Sequence, residues 1–151
     1  MRIESKRFRR KNDAVVKVKQ ELQEYCGKVV KSIKPLCIIL YGSRAKGTFT
    51  PDSDADIIVI SNNLDQDFLT RIRSLIDLNS TALSIEPLGY TELEFTIMLE
   101  SFRLTALDAV SEGIALYGED YFNHLKERMS ELERMGVYKG KISWHIPAIT
   151  A

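Results

Sequence analysis

The chain has 151 residues, 44% of them hydrophobic, and Lys plus Arg and Asp plus Glu both total 21, so the formal net charge is zero. That length suits one domain with a true core rather than a catalytic domain plus a separate substrate domain, and the even charge gives no bulk pull toward nucleic acid. No window approaches the ~20 consecutive apolar residues of a membrane span, and the basic start leads into no apolar signal core, so a soluble cytoplasmic protein is expected.

The first nineteen residues carry Arg2, Lys6, Arg7, Arg9, Arg10, Lys11, Lys17 and Lys19 against Glu4 and Asp13. Such a run is either a solvated helix start or a phosphate-attracting arm. Val15, Val18, Leu22, Tyr25 or Cys26, and Val29 recur at helical spacing and predict a basic N-terminal helix over residues 12–31 with one core face. Pro35 ends it, because a proline ring disfavours helical geometry in the residue before it. Cys37–Tyr41 is apolar on both faces, which predicts a buried strand. Gly42 closes that strand, residues 43–46 suit a short helical turn, and residues 48–53, with Pro51-Asp52, have loop chemistry.

Residues 54–60 predict a second strand, with Asp54, Asp56, Ile58 and Ile60 on one face and Ala55, Ile57 and Val59 on the other. Asp65 is a candidate cap for a helix marked by Phe68, Leu69, Ile72, Leu75 and Ile76. Residues 81–88 read as a third strand with one carboxylate, Glu86, in apolar company. Thr91 and Glu94 have capping-box spacing and open a helical region reaching residue 112, with Leu99, Phe102, Ala106, Leu107 and Val110 inward and room for a break. Gly113 stops it, residues 114–117 suit an edge strand, and Phe122, Leu125, Met129, Leu132 and Met135 mark a last helix over residues 119–135. From Gly136 onward, with Trp144 and Pro147, periodicity is absent and an irregular tail is expected. Residues 1–151 are thus expected to form a single domain. Cys26 and Cys37 lack zinc or CxxC spacing and fit buried free thiols, while His124 and His145 suit structural or surface roles.

The chemistry concentrates between residues 37 and 60. A Gly-Ser turn after a buried strand offers backbone N–H groups to an anion, and Gly42 lets the backbone approach a phosphate. Ser43 adds a hydroxyl, and Arg44 and Lys46 add charge against a triphosphate. Eleven residues after Ser43 come Asp54 and, two further on, Asp56, alternate carboxylates able to hold divalent cations. Glu86 is the best-placed third acid. Such a set fits nucleotidyl transfer with two Mg2+ ions, or Mn2+, one on the nucleophile and one on the leaving pyrophosphate.

The segment Gly42-Ser43-Arg44-Ala45-Lys46-Gly47 followed by Ser53-Asp54-Ala55-Asp56 resembles the signature of the DNA polymerase β nucleotidyltransferase superfamily, and more closely the minimal nucleotidyltransferases of bacteria and archaea. The looser likeness runs through Glu86 to the segment ending at Gly118. The resemblance implies an α+β fold, a small mixed and mostly antiparallel sheet flanked by helices on one side. It implies that Gly42 and Ser43 bind the triphosphate and that Asp54, Asp56 and Glu86 hold the metals. Many members carry aspartate as the third acid. The minimal group often pairs with a small helical HEPN protein as toxin and antitoxin, which implies transfer of AMP from ATP to a tyrosine of that partner. The alternatives are an antitoxin or regulatory binding module with little or no catalysis, and transfer to a small molecule or RNA.

Overall fold

Strand β1 (Cys37–Tyr41) lies between β2 (Ala55–Ile60) and β4 (Ile114–Tyr117), antiparallel to both, while β3 (Ile85–Tyr90) runs parallel to β2 on its outer side. The computed structural model describes the backbone of residues 2–50 and 52–148, and side chains from residue 16 onward apart from Pro51. The side chains of Arg2, Lys6, Arg7, Arg9, Arg10 and Lys11 therefore lie outside the described residues, as do Pro51 and the last three residues of the tail.

The helices are α1 (Arg2–Ile33), α2 (Ser43–Lys46), α3 (Phe68–Asp77), α4 (Glu92–Glu100), α5 (Leu104–Glu112) and α6 (Glu119–Arg134). This is the expected α+β mixed, mostly antiparallel sheet flanked by helices. The helices cover both faces, however, not one. Both β1 and β2 are apolar on alternate and intervening positions, so each face needs its own cover. On one face Cys37, Ile39, Ile58 and Ile60 pack with Phe95, Leu99, Leu107, Phe122 and Met129 of α4, α5 and α6. On the other, Ile38, Leu40, Ile57 and Val59 pack with Leu22, Tyr25 and Val29 of α1 and Leu75 of α3. Tyr25 is fully buried, and its hydroxyl donates to the Leu75 carbonyl at 2.8 Å, joining α1 to α3.

Several boundaries move from their expected places. Helix α1 begins well before residue 12. Asp67, not Asp65, caps α3: its carboxylate accepts from the Thr70 N–H at 2.9 Å and the Thr70 hydroxyl at 2.6 Å. The third strand starts at Ile85 because the Asn79 side chain folds the preceding residues into a turn, accepting from the Thr81 N–H at 3.0 Å and donating to the Leu83 carbonyl at 2.9 Å. Pro87 is tolerated in β3 because that strand is at the sheet edge. Arg71 is buried inside α3, where it donates to the Gly89 carbonyl at 3.3 Å, the Asp65 carbonyl and Glu94 at 2.7 Å.

The capping box forms as expected, with Glu94 N–H to Thr91 Oγ1 at 3.2 Å and Thr91 N–H to Glu94 Oε1 at 2.8 Å. The break between α4 and α5 falls at Phe102, whose φ of +61° turns the chain while its ring packs against the core. Cys26 and Cys37 are buried free thiols. The tail holds a short hairpin, β5 (Tyr138–Lys139) paired antiparallel with β6 (Trp144–His145), where an irregular segment is expected. Among the described residues, no helix is long and apolar enough to cross a membrane.

Candidate active site

The central feature is one rung across three strands. Tyr41 of β1 pairs with Asp56 of β2, and Asp56 pairs with Glu86 of β3. Directly paired residues project to the same face, so the phenol and the two carboxylates stand in a row. Asp54 comes two residues before Asp56, just outside β2, where the Ala55 N–H donates to the Ser84 carbonyl at 2.9 Å and ties this segment to the start of β3. Glu86 faces both Asp54 and Asp56 closely enough for each to act on its ionisation.

The electrostatics record an excess of negative charge. Glu86 is held above the usual carboxylate range, first by its hydrogen bond with Asp54 and the charge of that group, then by desolvation, then by Asp56. Asp56 is also raised, by burial first, against a hydrogen bond with Glu86 that works the other way, with the Asp54 charge adding to the rise. The Tyr41 phenol is pushed up to about 12 by burial, then by Asp56, Tyr90, Glu86 and Asp108. Carboxylates crowded in this way repel one another at neutral pH, and a divalent cation would relieve that repulsion.

The donor set of hard oxygens fits magnesium. Among the described residues no three acidic, His or Cys side chains close on one point as a finished ion cage. Magnesium does not need one, since it keeps several waters and binds through one or two carboxylates plus substrate phosphates.

The Gly42-Ser43 turn abuts this acidic row. Gly42 has φ +73° and ψ −155°, a region open essentially to glycine alone, and a Cβ built there would run into Asp56 Oδ2. Glycine is therefore what lets the turn and the carboxylate touch. Ser43 opens α2; the Lys46 N–H bonds back to the Gly42 carbonyl at 3.1 Å, and the first N–H groups of the turn have no partner within it.

Arg44 and Lys46 sit on α2 and both engage protein groups. Arg44 Nε donates to the Ser53 carbonyl at 3.0 Å, and its guanidinium lies over the Phe49 ring at 4.9 Å, fastening α2 to the loop before Asp54. Lys46 Nζ lies 2.8 Å from Glu112 Oε2.

A cleft of about 290 Å³ opens beside the carboxylates, lined by Tyr41, Asp56 and Glu86 together with Ile72, Ile76, Ile85, Pro87 and Leu88. The structure thus brings Gly42, Ser43, Asp54, Asp56 and Glu86 into one neighbourhood, with Arg44 and Lys46 on the adjoining helix α2. Sequence reasoning did not find Tyr41, Asp108 or Glu112. Tyr41 enters through the antiparallel register of β1 on β2, and the two α5 acids, one turn apart, meet Lys46 and Lys139 from segments far away in the chain. His124 lies exposed on α6 with Nδ1 2.8 Å from the Asp120 carbonyl, and His145 stacks on Tyr138 at 4.7 Å.

Comparison with known proteins follows the same line. The sequence pattern of the family described as polymerase beta, nucleotidyltransferase matches residues 17–122. No curated protein sequence matches the chain significantly. Among the solved structures similar to it are two at 17% identity. A candidate nucleotidyltransferase from Sulfolobus solfataricus aligns over 69% of this chain and 86% of its own, with a TM-score of 0.48. A toxin–antitoxin structure with AMP-PNP aligns over 75% of this chain and 87% of its own, with a TM-score of 0.51, a likeness of fold. The family pattern spans more than two thirds of the chain and contains the Gly-Ser turn and all three acids, and the chain belongs to the polymerase β nucleotidyltransferase family.

Proposed function

We propose that this chain transfers a nucleoside monophosphate, AMP from ATP, to a hydroxyl acceptor, and that residues 1–151 act as one nucleotidyltransferase domain in the cytoplasm. The observation that supports the reading is the Asp56–Glu86 rung abutting the Gly42 turn, a crowded carboxylate cluster beside a glycine turn able to receive a phosphate. In this account Gly42 and Ser43 receive the triphosphate through their N–H groups, with Arg44 and Lys46 supplying positive charge. Asp54 and Asp56 would hold two magnesium ions, with manganese as a substitute, and Glu86 would complete the nucleophile side. Bound magnesium would neutralise charge on the triphosphate and lower the pKa of the acceptor hydroxyl. The acceptor oxygen attacks the α-phosphorus, the bond to the β-phosphate oxygen breaks, pyrophosphate leaves, and the hydroxyl proton passes to the Asp56–Glu86 carboxylate pair.

The acceptor would approach through the cleft beside Glu86. Its apolar walls, Ile72, Ile76, Pro87 and Leu88, suit a hydroxyl carried on an apolar body better than one flanked by phosphates. The toxin–antitoxin neighbour with AMP-PNP and the resemblance to the minimal group together favour ATP as donor and a tyrosine of a small helical HEPN-type partner as acceptor. Leu93, Ile97 and Leu104 are each more than half exposed along α4 and the start of α5, an apolar surface such a partner would cover. That surface also supports a second reading, an antitoxin that acts by binding alone.

Incubating the chain with α-labelled ATP, magnesium and a helical protein encoded beside it separates the two. Label on the partner supports transfer. A stable complex that never acquires label supports binding alone and overturns the enzymatic reading.

A further inference from the structure

The C-terminal hairpin is joined to the phosphate turn by a chain of charges. Trp144 Nε1 donates to Asp108 Oδ1 at 2.8 Å, and Lys139 Nζ donates to the same oxygen at 2.9 Å. Lys139 Nζ also lies 2.9 Å from Glu112 Oε1, and the other oxygen of that carboxylate, Oε2, faces Lys46 Nζ of α2 at 2.8 Å. One carboxylate on α5 is thus shared between a lysine of the nucleotide turn and a lysine of the hairpin. The two links differ in kind. Glu112 Oε2 is buried, and the Lys46 ammonium at 2.8 Å is the cation that faces it. Lys139, by contrast, is anchored by a directed bond to Asp108 as well.

A triphosphate arriving at Gly42-Ser43 carries far more negative charge than one glutamate and would draw Lys46 away. Glu112 Oε2 would then be a buried anion short of a partner, which is costly unless another cation moves toward it. Lys139 is already on the same carboxylate. Any shift it makes pulls on Asp108, and Asp108 holds the Trp144 indole.

We propose that Lys139 is a positioning residue for Lys46: by balancing the charge of Glu112 it lets the Lys46 ammonium pass from that carboxylate to a triphosphate at the Gly42-Ser43 turn, and the transfer is passed through Lys139 and Asp108 to the hairpin at Trp144. This rests on the nucleotide-binding reading of the Gly42-Ser43 turn. With Lys139 present, Glu112 keeps one cation when Lys46 leaves. Without Lys139, Lys46 becomes the sole cation on Glu112 and is held back from the triphosphate.

Trp144 is the only tryptophan in the chain, so its fluorescence reports the hairpin directly. The test titrates ATP with magnesium, following Trp144 emission and, separately, binding heat. The wild-type chain should show a saturable emission change with the calorimetric midpoint. Lys139→Ala should lose that change and bind ATP about fivefold more weakly, the lower end of typical coupling between sites. Lys139→Arg should restore both. Adding Glu112→Gln to Lys139→Ala should restore ATP affinity, because the carboxylate that retains Lys46 is then neutral; a merely structural role for Lys139 predicts no such rescue. Calorimetric binding of ATP to the wild-type chain without an emission change overturns the proposal, as does Lys139→Ala binding ATP normally or remaining weak after Glu112→Gln is added. Absence of ATP binding to the wild-type chain overturns the nucleotide-binding reading itself, and this proposal with it.

Discussion

Replacing Gly42 by Ala tests the contact on which the site is built. Two costs act at this residue. Its backbone, at φ +73° and ψ −155°, is open essentially to glycine, and a residue held there costs about 1–3 kcal/mol. The added Cβ also overlaps Asp56 Oδ2, so the carboxylate must withdraw. Taking about 2 kcal/mol for the first effect, the melting temperature should fall by roughly 4–8 °C for a chain of this size. The second effect falls on activity: a reacting group displaced by about 1 Å loses on the order of 100-fold in rate. Gly47→Ala is the matched control, because Gly47 has φ +78° but nothing within 4 Å of its Cβ position. It should lose stability by about 1 kcal/mol, the usual cost of forcing alanine into a left-handed turn, and keep most of its activity. Thermal unfolding measured beside magnesium-dependent AMP transfer separates the two costs. Equal activity in the two variants would refute the claim that Gly42 is needed for the approach of the turn to Asp56.

Glu86→Gln should stabilise the metal-free chain by up to about 1 kcal/mol while abolishing transfer, because the fold favours the neutral form of a carboxyl whose pKa is raised; the gain is small because the group is exposed. Chemical denaturation without magnesium checks this, and a loss of stability would contradict it. Glu112 behaves oppositely. Its pKa is lowered, first by the contacts with Lys46 and Lys139, so the stability it contributes is present above the unfolded glutamate value and lost as pH falls through the lower folded one. Trp144 emission followed against pH should therefore change only below the ordinary glutamate value of about 4.3. Arg71→Ala should cost about 2–3 kcal/mol, since it strips donors from two carbonyls and removes the partner of Glu94; urea unfolding measures it. Burial pushes the Cys26 and Cys37 thiols up to about 11 and about 12, so neither should react with a thiol reagent in the folded chain, and both should after denaturation.

The site was legible in the sequence where its logic is local. A buried strand, a Gly-Ser turn and alternate aspartates at the next strand's mouth are all written within residues 37–60, and the three-residue spacing of Thr91 and Glu94 marks the start of α4. What escaped depends on contacts far apart in the chain. Tyr41 joins the acidic row only through strand register, and residues 81–84 were drawn into a turn by Asn79 although their alternation suits a strand. Arg71 looks like a solvated helix residue until carbonyls from two other segments surround it. The cover on both sheet faces follows from Cys37–Leu40 of β1 and Ile57–Ile60 of β2 being apolar at every position, a pattern that already argues against helices on one side. Lys46 illustrates the remaining gap: its charge beside the turn was readable, but its hold on Glu112 was not.

The central claim is that this carboxylate cluster transfers a nucleotide rather than a phosphoryl group or nothing. The most direct measurement incubates the chain and its acceptor with ATP labelled at either the α- or the γ-phosphate, comparing the wild type with the double variant Asp54→Asn, Asp56→Asn. The account predicts label on the acceptor from α-labelled ATP only, dependent on magnesium, with γ label leaving as pyrophosphate and no transfer by the double variant. Acceptor labelled from γ-labelled ATP, or undiminished transfer by the double variant, would contradict it.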